Sequence, residues 1–149
     1  MSRLAQLFST GLYVGYLRPA PGSWGSLFAA IIWWFISPTT WWLQLLLIIL
    51  AIAVGVWTSG LAAAWMDEED PSQVVIDEIA GMWLALLLAP QVWWYYLGAF
   101  LLFRVFDIAK PGPINTIQKQ PGGWGIMLDD VLAGAAALII MTAIRLFLP

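Results

Sequence analysis

Between Arg18 and Asp67 the chain carries no charged side chain. A membrane-spanning helix needs about 20 apolar residues, so this run is too long for one helix. Ser37-Pro38-Thr39-Thr40 divides it, because proline lacks a backbone donor and disfavours helix in the residue before it. A second uncharged run separates Glu78 from Arg104, and a third extends from Val131 to Ile144 and continues past Arg145. Soluble domains are about 45–50% apolar and about 25% charged. This chain is 62% hydrophobic and 10% charged. It is expected to be an all-α integral membrane helical bundle, with about five main helices plus short interfacial helices. Residues 1–149 are expected to form a single membrane-embedded domain.

The charge gaps and turn signals predict main helices over 24–36, 41–66, 77–88, 92–106 and 129–147. Ala89-Pro90-Gln91 reads as a turn or a kink. Residues 4–17 read as a short interfacial helix interrupted near Gly11. That stretch is too weakly hydrophobic, and lacks the small-residue cleavage site, for a signal peptide. Trp33-Trp34, Trp41-Trp42 and Trp93-Trp94-Tyr95-Tyr96 mark a membrane–water interface, where amphipathic rings gather. The opposite ends hold every acid and five of the six bases, with Arg145 alone at the aromatic end. The bias of basic residues directs the charged face to the cytosol.

Composition also removes chemistry. With no Cys and no His, thiolate nucleophiles, phosphohistidine and Cys- or His-ligated metals are excluded. The net charge of −3 argues against nucleic acid as a partner. Carboxylates, hydroxyls, Lys and Arg remain, with any hard cation they hold.

Carboxylates stand at expected helix ends as Asp77-Glu78, Asp107 and Asp129-Asp130. Acids favour a helix N-terminus, which accounts for Asp77 and Asp129 singly. It does not account for doubled acids in a chain with so few. The helix expected over 77–88 is only about 18 Å long and cannot cross a core about 30 Å thick. Asp77 and Glu78 are therefore expected below the cytosolic surface, where ionisable groups need a polar cavity or a metal. Oxygen ligands of this kind suit Mg²⁺. Gly81 and Gly134 each follow an acid by four residues, and small residues let membrane helices approach closely. A crossing there would bring the two acid pairs together.

Arg104, Asp107 and Lys110 recur every third residue, which suits either an intrahelical ion-pair ladder or phosphate recognition by Arg and Lys. Asp67–Asp70 reads as a solvated charge run. Pro21-Gly22-Ser23-Trp24-Gly25 and Pro121-Gly122-Gly123-Trp124-Gly125 either cradle an anion with backbone amides or make ordinary turns.

Four ordered stretches resemble the phosphatidylglycerophosphatase A family. They are Pro19-Ala20-Pro21-Gly22-Ser23-Trp24-Gly25-Ser26-Leu27, Asp70-Pro71 through Val74-Val75-Ile76-Asp77-Glu78-Ile79-Ala80-Gly81, Phe103-Arg104-Val105-Phe106-Asp107-Ile108-Ala109-Lys110-Pro111-Gly112-Pro113-Ile114, and Gly122-Gly123-Trp124-Gly125-Ile126-Met127-Leu128-Asp129-Asp130 through Ala133-Gly134. They span residues 19–134. The resemblance implies a Mg²⁺-dependent phosphatase of the bacterial inner membrane that converts phosphatidylglycerophosphate to phosphatidylglycerol. It implicates Asp77, Glu78, Arg104, Asp107, Lys110, Asp129 and Asp130, with the loop at Gly22-Ser23. Two departures stand out. Ser23 occupies a position where many members carry Thr, and Asn115-Thr116-Ile117-Gln118 replaces an Arg-aromatic-aromatic-Asp segment.

The expected site has Asp77, Glu78, Asp129 and Asp130 holding one or two Mg²⁺. Arg104 and Lys110, with amides of Gly22, Ser23, Gly122 and Gly123, bind phosphate. Asp77, Asp107 and Asp130 carry the catalysis. Asp107 is a further ligand, a general base or the group that positions Arg104. A carboxylate nucleophile and direct attack by water are both chemically allowed. The expected partners are a phospholipid substrate and the membrane. A phosphatase for phosphatidic acid or a polyprenyl phosphate, and a non-catalytic lipid-binding subunit, are the alternatives.

Overall fold

Proline and glycine set several helix boundaries in the computed structural model, which describes residues 1–147. The described residues form seven α-helices and no β-strand: α1 (Arg3–Ser9), α2 (Pro21–Ile36), α3 (Trp41–Met66), α4 (Ile76–Ala85), α5 (Trp93–Ala109), α6 (Pro113–Ile117) and α7 (Gly123–Phe147). Ser2 caps α1 by accepting the Ala5 N–H at 3.2 Å. Gly11, Leu12 and Tyr13 then turn the chain with positive φ, as expected of a helix broken near Gly11.

Two helices, α3 and α7, are long and apolar enough to cross a membrane. At 26 and 25 residues they exceed the roughly 20 that a span requires. The ends of α3 coincide with the expected ones, because Pro38 and Asp67 delimit it. α4 has only 10 residues, about 15 Å of helix, and is wedged among α2, α3, α5 and α7.

Four expected boundaries move, the first being the start of α2, at Pro21 rather than at 24. α4 stops at Ala85 rather than at 88. The Leu86 carbonyl, beyond the helix end, accepts the Trp33 indole N–H at 3.3 Å. α5 runs on to Ala109, and α6 lies within what reads as loop. α7 begins at Gly123, six residues before Asp129. Asp129 and Asp130 therefore sit inside the helix and do not cap its start.

Contact between α4 and α7 is closest at the two glycines. A β-carbon on Gly134 would collide with the Gly81 carbonyl oxygen, and one on Gly81 would stand 2.6 Å from the Asp130 carbonyl oxygen. Small residues of this kind drive membrane helix packing, because lipid tails are as apolar as Leu and burial alone gains little. Trp83 adds a cross-link by donating to the Ala29 carbonyl at 3.1 Å. Buried Ile79, Met82, Phe103 and Met127 fill the space around α4. Large apolar side chains such as Trp57, Leu101 and Ile139 face outward, the inverse of a water-soluble surface.

The N-terminal segment braces the chain leading into α4. The Val75 N–H donates to the Ser9 carbonyl at 2.8 Å. Gly15 lies so close to the Gln73 carbonyl that no side chain fits between them. At the far end of the bundle, Arg145 donates to the Leu88 carbonyl at 3.0 Å.

Candidate functional site

Asp77 and Glu78 occupy the first turn of α4, where the unpaired N–H groups of a helix start favour negative charge. The glycine crossing sets Asp130 of α7 beside them. Asp77, Glu78 and Asp130 each offer a carboxylate oxygen, and these oxygens all lie within 4.8 Å of one another. Asp77 is 8% and Asp130 2% exposed. Asp77 Oδ1, Glu78 Oε2 and Asp130 Oδ2 are buried without a hydrogen-bond partner among the described residues.

Arg104 reaches this cluster from α5. Its Nη1 donates to Asp107 Oδ2 at 2.5 Å and to Ser26 Oγ at 3.3 Å, and lies 4.0 Å from Glu78 Oε1. Its Nε is buried and unpaired. Asp77, Glu78, Asp107 and Asp130 thus line one cavity with the Arg104 guanidinium. Buried charge of one sign in excess is costly unless a counter-ion compensates it. Three carboxylates that each have an orphaned oxygen, and that each offer an oxygen within 4.8 Å of the others, fit a hard divalent cation, which takes oxygen ligands.

A cavity of about 220 Å³ opens over the cluster. Gly22 of α2, Asp70, Lys110 and Asp129 complete its wall. Gly22 is required by close approach, since a β-carbon there would strike Glu78 Oε1 and lie 3.1 Å from Arg104 Nη1.

Several expected site residues stand outside the three-acid cluster. Asp129 turns away from the other three acids. Its Oδ2 accepts from Lys110 Nζ at 2.5 Å, and its Oδ1 accepts the Asp130 N–H at 3.0 Å. Lys110 caps α5 in the left-handed region at φ 42°, so it leaves the Arg104–Asp107 face and also donates to Gln118 Oε1 at 3.0 Å. Burial opposes the charge on Lys110, but the bond to Asp129 and the fields of Asp129, Asp130 and Asp107 outweigh it, leaving its pKa above the ordinary lysine value. Ser23 is not on the cavity wall. Gly122, at φ +65°, lines a neighbouring cavity of about 530 Å³ that Asp70 and Asp129 share with the first. Gly123 packs against the Val56 carbonyl of α3.

One residue behind the site and one on its wall escape the sequence reading. Ser26 ties Arg104 to α2 and donates to the Gly22 carbonyl at 2.7 Å. Its signal was a hydroxyl one turn after Gly22. Asp70 belongs to both cavities. Its signal was the proline after it, which separates it from the charge run.

The family model described as phosphatidylglycerophosphatase A matches residues 7–145. A Bacteroides thetaiotaomicron protein named "Putative phosphatidylinositol-3-phosphatase" is 40% identical, covering 97% of this chain and 95% of its own. Proteins named phosphatidylglycerophosphatase A from Haemophilus influenzae and Escherichia coli are 38% and 35% identical. Those matches cover 93% and 95% of this chain and 87% and 83% of the relatives. No solved structure matches the chain.

Proposed function

The chain belongs to the phosphatidylglycerophosphatase A family, and from that premise we propose that it hydrolyses the terminal phosphate monoester of phosphatidylglycerophosphate with Mg²⁺ held by Asp77, Glu78 and Asp130. It is a phosphatase, and the non-catalytic subunit reading falls away. The observation that carries the site assignment is the trio of buried, unpartnered carboxylate oxygens beside Arg104. Mg²⁺ bound there supplies charge neutralisation at the phosphate and activation of water.

The protein's own groups do the rest. Arg104 binds phosphate oxygens through its fork of N–H donors, and Asp107 and Ser26 hold that fork in place. The backbone amide of Gly22, in the first turn of α2, favours an anion, whereas the Ser23 N–H donates to the Ala20 carbonyl at 3.0 Å and is not assigned to phosphate. A carboxylate of the cluster, Asp77 or Asp130, takes the proton of the attacking water. Asp129 is assigned to Lys110 and not to the metal. Lys110 contributes positive charge at the cavity wall. Gly122 and Gly123 shape α7 and its neighbouring cavity and are not assigned to phosphate.

The same reading makes residues 1–149 one multi-pass domain of the bacterial inner membrane, with the charged cavity facing the cytosol. The phospholipid then enters from the cytosolic leaflet.

Substrate choice has a direct test. The purified protein in detergent with Mg²⁺ is given phosphatidylglycerophosphate, phosphatidylinositol 3-phosphate, phosphatidic acid and a polyprenyl phosphate. The expected result is phosphate release from phosphatidylglycerophosphate with the highest kcat/KM. Preference for phosphatidylinositol 3-phosphate, the substrate in the name of the Bacteroides relative, would overturn the assignment.

A further inference from the structure

α2 and α5 diverge above the site and leave an apolar groove of about 410 Å³. Leu27, Ile31 and Trp34 line it from α2, and Trp93, Leu97 and Phe100 from α5. No charged residue lines it. Leu27, Ile31 and Leu97 are 40%, 51% and 49% exposed, so the groove is open along its length. At the aromatic end Trp34 and Tyr96 meet edge to face, with centroids 4.8 Å apart.

The other end lies one turn of α5 from Arg104. Trp93, Leu97, Phe100 and Arg104 follow one another at steps of four and three, which places them on one helix face. Leu27 directly follows Ser26, whose hydroxyl meets Arg104 at 3.3 Å. Phe100 on the groove wall and Arg104 on the polar cavity wall thus stand one helical turn apart on the same face of α5. From Leu27 to Trp34 the groove wall is about 10 Å long. A molecule with a phosphate at Arg104 and an apolar tail fits this succession of charged cavity and apolar groove along α5.

We propose that the α2–α5 groove seats an acyl chain of the phospholipid substrate while its phosphate lies at Arg104. This rests on the lipid phosphatase reading above. The groove gains the chain little transfer energy, since the surrounding lipid is equally apolar. Its contribution is orientation, because a seated chain fixes the headgroup over the cluster.

The test replaces two exposed lining residues with larger ones, Ile31→Trp with Leu97→Trp, and compares long-chain dioleoyl with short-chain dibutanoyl phosphatidylglycerophosphate. The expected result is a fall of about tenfold or more in kcat/KM for the dioleoyl substrate, with the dibutanoyl substrate unaffected. An equal fall for both, or none for either, would overturn the groove while the wild-type activity leaves the phosphatase reading standing. No turnover of either lipid by the wild type would sink both.

A second measurement is independent of turnover. A phosphatidylglycerophosphate with a photoreactive diazirine in its acyl chain is bound in EDTA and irradiated. Labelling is expected at Leu27, Ile31, Leu97 or Phe100, competed by unlabelled substrate and not by phosphatidylcholine. Competed labelling at the separate apolar patch of Ile49, Ile52 and Trp124 would overturn the proposal. So would a change in self-association on groove substitution with unchanged kinetics, which would assign the groove to a second copy of the chain.

Discussion

Gly134 of α7 sits so close to Gly81 of α4 that a β-carbon at 134 would collide with the Gly81 carbonyl oxygen. That contact fixes the separation of the two helices that supply the carboxylate cluster. Gly134→Ala must push α7 outward and carry Asp130 away from Asp77 and Glu78. Overpacking of this kind costs about 1–3 kcal/mol. The expected outcome is a lower melting temperature in detergent together with lost phosphatase activity. A variant with wild-type stability and turnover would show that the crossing does not assemble the site.

Arg104 and Asp107 form a close pair, 2.5 Å from Nη1 to Oδ2. A lysine at 104 keeps the charge but loses the planar fork and the second contact to Ser26. Removing a donor that stabilises transition-state charge typically costs about 10²–10³ in kcat. Arg104→Lys is expected to fall in that range, and Ser26→Ala less, because it removes only one anchor of the guanidinium. Steady-state kinetics on phosphatidylglycerophosphate measures both. Near-normal turnover of Arg104→Lys would remove Arg104 from phosphate binding.

The adjacent acids Asp129 and Asp130 are expected to differ sharply. Loss of even an outer partner of a metal ligand costs about 10–100-fold in metal affinity. Asp130→Asn is therefore expected to raise the Mg²⁺ concentration for half-maximal activity at least that much. Asp129→Asn is expected to leave it near the wild-type value while weakening the hold on Lys110. Equal shifts in the two titrations would return Asp129 to the metal site.

Lys110 links the end of α5 to α7 through Asp129, and its folded-state pKa is raised. A raised lysine pKa adds stability that is fully present below the unfolded value, about 10.4. That stability is lost as pH rises through the folded value. The melting temperature is thus expected to drop in the alkaline range above that value. Lys110→Met lowers the melting temperature at neutral pH and flattens this alkaline limb. An unchanged alkaline limb would mean that the pair does not couple to folding.

Much of the helical plan was legible because charge is so scarce. Pro38 and Asp67 bound α3, and the Trp-rich ends mark where the chain turns. The start of α7 was not legible. Gly122-Gly123-Trp124-Gly125 has the composition of a loop, since glycine costs about 1 kcal/mol in a helix. Here Gly123 and Gly125 approach the carbonyls of Val56 and Gln120, and that packing is invisible in a one-dimensional pattern.

The site was legible in its members more than in their partners. Neighbouring residues on a helix do not face the same way, so Asp129 and Asp130 diverge, one to Lys110 and the other to the cluster. Asp77 and Glu78 both reach the cluster despite being neighbours, the glutamate through its longer side chain. Lys110 left the expected ladder because the helix ends at Ala109 and the capping residue adopts positive φ. Ser26 needed the third dimension, being 78 residues from Arg104 in sequence.

The proposed chemistry requires that Asp77, Glu78 and Asp130 hold a divalent cation. Titration of the purified protein with Mn²⁺, followed by electron paramagnetic resonance, measures this without turnover. Saturable Mn²⁺ binding that Mg²⁺ displaces is expected, abolished in Asp77→Asn/Asp130→Asn and retained in Asp129→Asn. Undiminished binding in the double variant would contradict it.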